Sequence, residues 1–131
     1  MPFSWQESLC SLYIALRNML KMRPMTREHA IDRLFATIAA RRGADTRASY
    51  TAKLLAKGRA ACAKKMGEEA VETALAAMGE DKAEIAGESA DLLYHLLVLW
   101  AACGITPDQV YAVLEAREGQ SGLAEKAARK E

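Results

Sequence analysis

Apolar residues return at three- and four-residue intervals along most of this chain, and nowhere do they alternate in the two-residue rhythm of a strand. In "REHAIDRLFATIAARRG", Ile31, Leu34, Phe35, Ile38 and Ala39 share one helical face. Thr26 is the expected N-cap and Gly43 the stop, with Arg41 and Arg42 in a last turn that favours cations. The polar stretch "ADTRASY" is a loop, and "SYTAKLLAKG" supplies one or two helical turns ending at Gly58. A long helix then runs from about Arg59 to Met78. Gly67 inside it costs about 1 kcal/mol relative to alanine and points to close packing there. "GED" at 79–81 leaves room only for a tight turn, so the next helix, about Lys82 to Cys103, returns antiparallel and stops at Gly104. In "TPDQ", Thr106 caps, Pro107 takes the first position and Gln109 closes a capping box, opening a helix over 107–118. From Gly119 onward "GQSGLAEKAARKE" is small and charged and is expected to fray. The pattern predicts an all-α protein, a helical bundle with two long antiparallel helices.

The first 24 residues stand apart. Trp5, Leu9, Leu12, Tyr13, Leu16, Met19 and Leu20 form one stripe, with Gln6, Glu7, Arg17 and Lys21 elsewhere. This reads as an amphipathic N-terminal extension that docks on the body or on a partner, or as sequence upstream of a natural start at Met25. A targeting or membrane-surface segment is the alternative, and the stretch lacks the basic lead and clean apolar run of a secretory signal. The main domain is then 25–118, followed by a charged tail, 119–131.

Two helices carry charge where it is expensive. At about 100° per residue, Lys65, Glu68, Glu69 and Glu72 occupy one arc of the first long helix, beside Val71, Leu75 and Met78, the face expected to be buried. On the second, Leu92, Leu93, Leu96, Leu97, Leu99 and Trp100 leave only a narrow strip, and it holds Glu88, Asp91 and His95. Such a helix is expected to be buried nearly all round, and an ionised carboxylate there must be paired or bind a cation. Across a tight turn, Glu69, Glu72, Glu88 and Asp91 would converge as oxygen ligands suited to Mg²⁺, or to Mn²⁺ in its place. The bland alternatives are a solvated face with Lys65–Glu69 pairing for the first helix, and bridges to lysines for the second. A di-iron bundle would want Glu-x-x-His on two helices; Glu88 and Asp91 lack that spacing to His95, and the other histidine is His29. His95 is a core histidine or lies behind the ligands or on the substrate side.

Composition narrows the partner. A net charge of +1 over 131 residues excludes the bulk basicity of a generic nucleic-acid binder, and no apolar run reaches the roughly 18 residues needed to span a bilayer. Cys10, Cys62 and Cys103 are scattered without metal or disulfide spacing, as in a reduced cytoplasmic protein. Charge is nonetheless uneven. Between Asp45 and Glu68 there is no acid, while Arg47, Lys53, Lys57, Arg59, Lys64 and Lys65 all lie there. A basic segment running into an acidic cluster fits a cation held by carboxylates on one side and phosphate oxygens on the other, with Lys64 and Lys65 the best phosphate partners.

The words "KKMGEEAVETALAA" and "ESADLLYHLLVLWAACGITPDQVYAVLEAR" resemble the phosphoribosyl-ATP pyrophosphohydrolases, of the all-α nucleoside-triphosphate pyrophosphohydrolase superfamily. The superfamily signature E-x-x-E, spacer, E-x-x-D stands here as Glu69–Glu72, fifteen residues, then Glu88–Asp91, and the likeness covers about residues 29–118. It implies Mg²⁺-dependent hydrolysis of 1-(5-phosphoribosyl)-ATP to 1-(5-phosphoribosyl)-AMP and pyrophosphate, the second step of histidine biosynthesis, by a cytoplasmic homodimer or higher oligomer. It further implies Glu69, Glu72, Glu88 and Asp91 around the metal, Glu68 or Glu72 in the chemistry, and Lys57, Lys64, Lys65 and His95 toward the substrate. A house-cleaning dNTP pyrophosphohydrolase would use the same carboxylates, and a non-enzymatic helical interaction module would use none.

Overall fold

Every regular element in the described part of the molecule is an α-helix. A computed structural model describes residues 29–129, so the N-terminal amphipathic stripe and Met25 lie outside the described residues, and the first described helix is capped not by Thr26 but by His29, whose Nδ1 accepts from the Ile31 N–H at 3.3 Å. The helices are α1 (Ala30–Ala40), α2 (Tyr50–Ala56), α3 (Arg59–Ala76), α4 (Lys82–Cys103), α5 (Pro107–Ala116) and α6 (Gly122–Ala128).

The antiparallel hairpin of α3 and α4 makes the most extensive interface, and α1 packs on α4 from another side. The hairpin is set by the Asp81 carboxylate, which accepts from the Ala83 N–H at 2.9 Å and so caps α4. Further along, the Thr73 hydroxyl lies 2.8 Å from the Glu69 carbonyl and 3.0 Å from that of Glu88, pinning one helix to the other. The core draws Ile38 from α1, Leu54 and Leu55 from α2, Cys62 from α3, and Leu97, Val98 and Ala101 from α4. Gly104, at φ +72°, takes the left-handed turn that ends α4, and the Ile105 N–H donates back to the Trp100 carbonyl at 2.9 Å. The Arg42 guanidinium donates to the Ala101 carbonyl, so α1's end covers α4's end. The capping box forms as expected, with the Thr106 N–H donating to Gln109 Oε1 at 2.8 Å. Tyr111 of α5 donates to Asp32 of α1 at 3.1 Å.

Several further expectations change. Helix α1 ends at Ala40 rather than Gly43, because Arg41 and Arg42 close a tighter turn onto Ile38 and Ala39 that sends Arg42 across to α4. The tail does not wholly fray: Ser121 accepts from the Ala124 N–H at 3.1 Å and starts α6 in an alanine-rich stretch. Val71, Leu75 and Met78 are not buried but 59%, 66% and 82% exposed. The side of α3 that faces inward carries Cys62, Glu69 and Ala76, seven residues apart, and the three large apolar residues lie on the far side of the helix from it. The strip of α4 is likewise open at Asp91, so that helix is not enclosed all round.

Gly67 does not mark a close approach, since a Cβ there would meet nothing within 4 Å. Gly67→Ala is therefore expected to stabilise the protein by about 1 kcal/mol in urea denaturation, through helix propensity alone. A loss of stability would show that another chain approaches this face.

Candidate active site

Helix α3 carries Lys64, Lys65, Glu68, Glu69 and Glu72 past the strip of α4 that holds Glu88, Asp91 and His95. Helical spacing puts Lys65 one turn before Glu69, and Lys65 Nζ reaches Glu69 Oε1 at 2.8 Å and Glu68 Oε2 at 3.4 Å. Lys64 approaches Glu68 Oε1 at 3.7 Å. Glu69 is only 6% exposed, and the Lys65 ammonium holds its carboxyl below the usual carboxylate range against the opposing pull of burial. Lys65 in turn is raised well above the ordinary lysine value, chiefly by its bond to Glu69.

Across the interface, Glu69, Glu88 and Asp91 each offer a carboxylate oxygen, and the three lie within 4.8 Å of one another. Glu72 is not of that trio. It stands exposed one turn along α3, lining a shallow cleft with Glu84 and Glu88. Among the described residues no cation lies within 4.0 Å of Glu72, Glu88 or Asp91. Desolvation, then the neighbouring charges of Glu72, Asp91 and Glu69, push the Glu88 carboxyl up. Unanswered negative charge on an all-oxygen donor set is the condition that a hard divalent cation relieves, and the three carboxylates are placed to hold one.

His95 is 5% exposed, with Nε2 3.6 Å from Glu69 Oε1 and Nδ1 buried without a partner. Tyr94 and Tyr50 meet its ring edge-on at 4.9 and 6.1 Å. Burial lowers its pKa against the upward pull of Glu69, so the imidazole is neutral near pH 7 and sits behind that carboxylate.

On the other side of Lys65 opens a cavity of about 310 Å³, walled by Tyr50, Lys53 and Lys57 around α2 and by Lys64, Lys65 and Glu68 of α3. Gly58, at φ +90°, makes the turn that sets α2 against the start of α3. Lys57 thus joins Lys64 and Lys65 as the sequence expects. Lys53, which belongs to the basic run between Asp45 and Glu68, and Tyr50 are not among the substrate-side residues the sequence singles out. The i,i+4 spacing of Lys53 and Lys57 was the available signal for Lys53, whereas nothing local marks Tyr50. A separate cavity of about 370 Å³, between α1 and α5, includes His29 and Asp32 and shares no residue with the carboxylates.

The family model described as phosphoribosyl-ATP pyrophosphohydrolase matches residues 31–118, which include both acidic helices. A phosphoribosyl-ATP pyrophosphatase of Parvibaculum lavamentivorans is 65% identical over 101 residues, 77% of this chain and 93% of that protein. One of Azospirillum brasilense is 60% identical over 100 residues, 76% and 90% of the two chains. One of Gluconobacter oxydans is 48% identical over 105 residues, 80% and 79%.

Because desolvation, and then the neighbouring charges of Glu72, Asp91 and Glu69, raise the Glu88 pKa in the folded state, its ionised form weakens the metal-free protein at pH above that raised value. Glu88→Gln is expected to raise the Tm in chelator at pH 7, with the gain shrinking as pH falls and the wild-type carboxyl takes up its own proton. Thermal unfolding across pH measures it; an unchanged or lower Tm at pH 7 is the contrary result.

Proposed function

The chain belongs to the phosphoribosyl-ATP pyrophosphohydrolase family, and we propose that it hydrolyses 1-(5-phosphoribosyl)-ATP to 1-(5-phosphoribosyl)-AMP and pyrophosphate, the second step of histidine biosynthesis. The single observation that carries this is that the family match runs through the helix pair on which Glu69, Glu88 and Asp91 converge. Residues 25–118 are the catalytic domain, with 1–24 an extension and 119–131 a tail. A cytoplasmic setting accords with the free thiols of Cys62 and Cys103.

Glu69, Glu88 and Asp91 would hold Mg²⁺, or Mn²⁺ in its place, with Glu72 available from the solvent side. When bound, the ion neutralises the triphosphate and polarises the α–β anhydride bond to be cut. The remaining work falls to the protein's own side chains. Lys65 fixes Glu69 from behind, with the buried ring of His95 packed beside it, so that its carboxylate is aimed before substrate arrives. Glu68, exposed and gripped loosely by Lys64 and Lys65, is the carboxylate that orients the attacking water in line with the leaving group and accepts its proton. The ammonium groups of Lys64 and Lys65 offset charge on the departing pyrophosphate.

The exposed strip of Val71, Leu75 and Met78 supports a homodimer, since a monomer gains nothing by presenting three large apolar side chains to water on one helix face.

Turnover of phosphoribosyl-ATP with and without Mg²⁺, against a panel of dNTPs, tests the activity; preference for a dNTP overturns it. Glu72→Gln and Asp91→Asn are each expected to lower kcat/KM at least about a hundredfold, or about 2.7 kcal/mol, with the fold retained. Full activity in either variant removes that residue from the site. For the dimer, Leu75→Glu with Met78→Glu is expected to halve the sedimenting mass; an unchanged mass assigns contact elsewhere.

A further inference from the structure

The cavity beside Lys65 is overcharged for a passive surface. Four lysines, Lys53, Lys57, Lys64 and Lys65, face one acid, Glu68, and that acid is already shared between Lys64 and Lys65. Among the described residues no carboxylate lies within 4.0 Å of Lys53 or Lys57. Two ammonium groups at i,i+4 spacing, lining one wall and unanswered among the described residues, call for an anion from outside. At about 310 Å³ the space lies at the small end of the roughly 300–1,000 Å³ range of small-molecule sites, enough for part of a nucleotide rather than all of it.

Position decides which part. Lys65 is common to both halves of the site: it walls the cavity and bonds Glu69 at 2.8 Å. Tyr50, on the same wall, meets the ring of His95, which stands behind Glu69. The basic cavity and the acidic cleft therefore abut, with opposite charge needs. A ligand filling both must present its metal-binding anhydride on one side and a second anionic group on the other. In 1-(5-phosphoribosyl)-ATP those are separate groups: the triphosphate, and the phosphomonoester on the ribose joined to the base. That monoester carries between one and two negative charges at pH 7, its second pKa being about 6, and lysine serves phosphate as a point charge. ATP has no such group. Recognition there is thus where the abundant nucleotide can be refused, since a site built to pair a charged group leaves its own cations unmet by a ligand that lacks it.

We propose that Lys53 and Lys57, with Tyr50 beside them, form the subsite for the 5-phosphate of the substrate's N1-linked ribose and so determine specificity for phosphoribosyl-ATP over ATP. This rests on the hydrolase activity proposed above. The competing occupant of the same chemistry is the leaving pyrophosphate, and the two products separate the cases.

In the full chain with Mg²⁺, inhibition constants are measured for phosphoribosyl-AMP, AMP and pyrophosphate. Lys53→Ala with Lys57→Ala, both at exposed positions, is expected to weaken phosphoribosyl-AMP at least about tenfold, while AMP and pyrophosphate change less than about twofold. Lys53→Arg with Lys57→Arg is expected to recover most of the loss, because the charge is kept. An unchanged constant for phosphoribosyl-AMP overturns the proposal. So does an equal loss for pyrophosphate, which assigns the cavity to the leaving group, or for AMP, which assigns it to the α-phosphate. Failure of the underlying hydrolase activity shows separately, as wild-type protein that does not turn over phosphoribosyl-ATP.

Discussion

A carboxylate cannot remain ionised in a helix interface unless its charge is answered, and Glu69 stands on the line of α3 that packs against α4. Lys65 answers it at 2.8 Å, the neutral ring of His95 backs it, and Thr73 ties the two backbones together one turn away. These contacts let the hairpin close with an acid in its seam. They also leave Glu88 and Asp91, brought within 4.8 Å of Glu69 by that closure, with no cation within 4.0 Å among the described residues. The same packing that stabilises one carboxylate thus creates a deficit of positive charge in the cleft.

Helix α3 inverts the usual arrangement of an amphipathic helix. Its inward line is made of small and charged residues, Cys62, Glu69 and Ala76, and its outward face holds Val71, Leu75 and Met78. Small side chains allow α4 to approach, and the glutamate is enclosed in the seam rather than solvated. The large apolar residues are then left for a surface that a single chain does not bury.

Lys65 divides the site into two regions of opposite unmet charge. Acids gather on the α4 side, and Lys53, Lys57 and Lys64 gather around the α2 side. The turn at Gly58, which carries no reacting group, is what sets the basic region beside the acidic one.

Much of this was legible in order along the chain. Helical periodicity, the turn at 79–81, the capping box at Thr106 and the stop at Gly104 depend on residues within a few positions of each other, so local rules sufficed. The acids, the lysines and the E-x-x-E…E-x-x-D spacing were also visible, because chemistry-bearing side chains at helical intervals declare which face they share. Which face turns inward was decided only by packing. A wheel places Glu69 and Leu75 on different arcs but does not say which arc meets α4, and the apolar arc was the natural and mistaken choice. Tyr50 and Lys53 joined the site because α2 folds back at Gly58, and Arg42 left its helix to cap α4 from 59 residues away. Sequence alone determined the helices and the inventory of charge, since both are properties of near neighbours. Tertiary structure decided which charges are answered and which are left for a ligand, since that depends on distances between residues the chain itself keeps far apart.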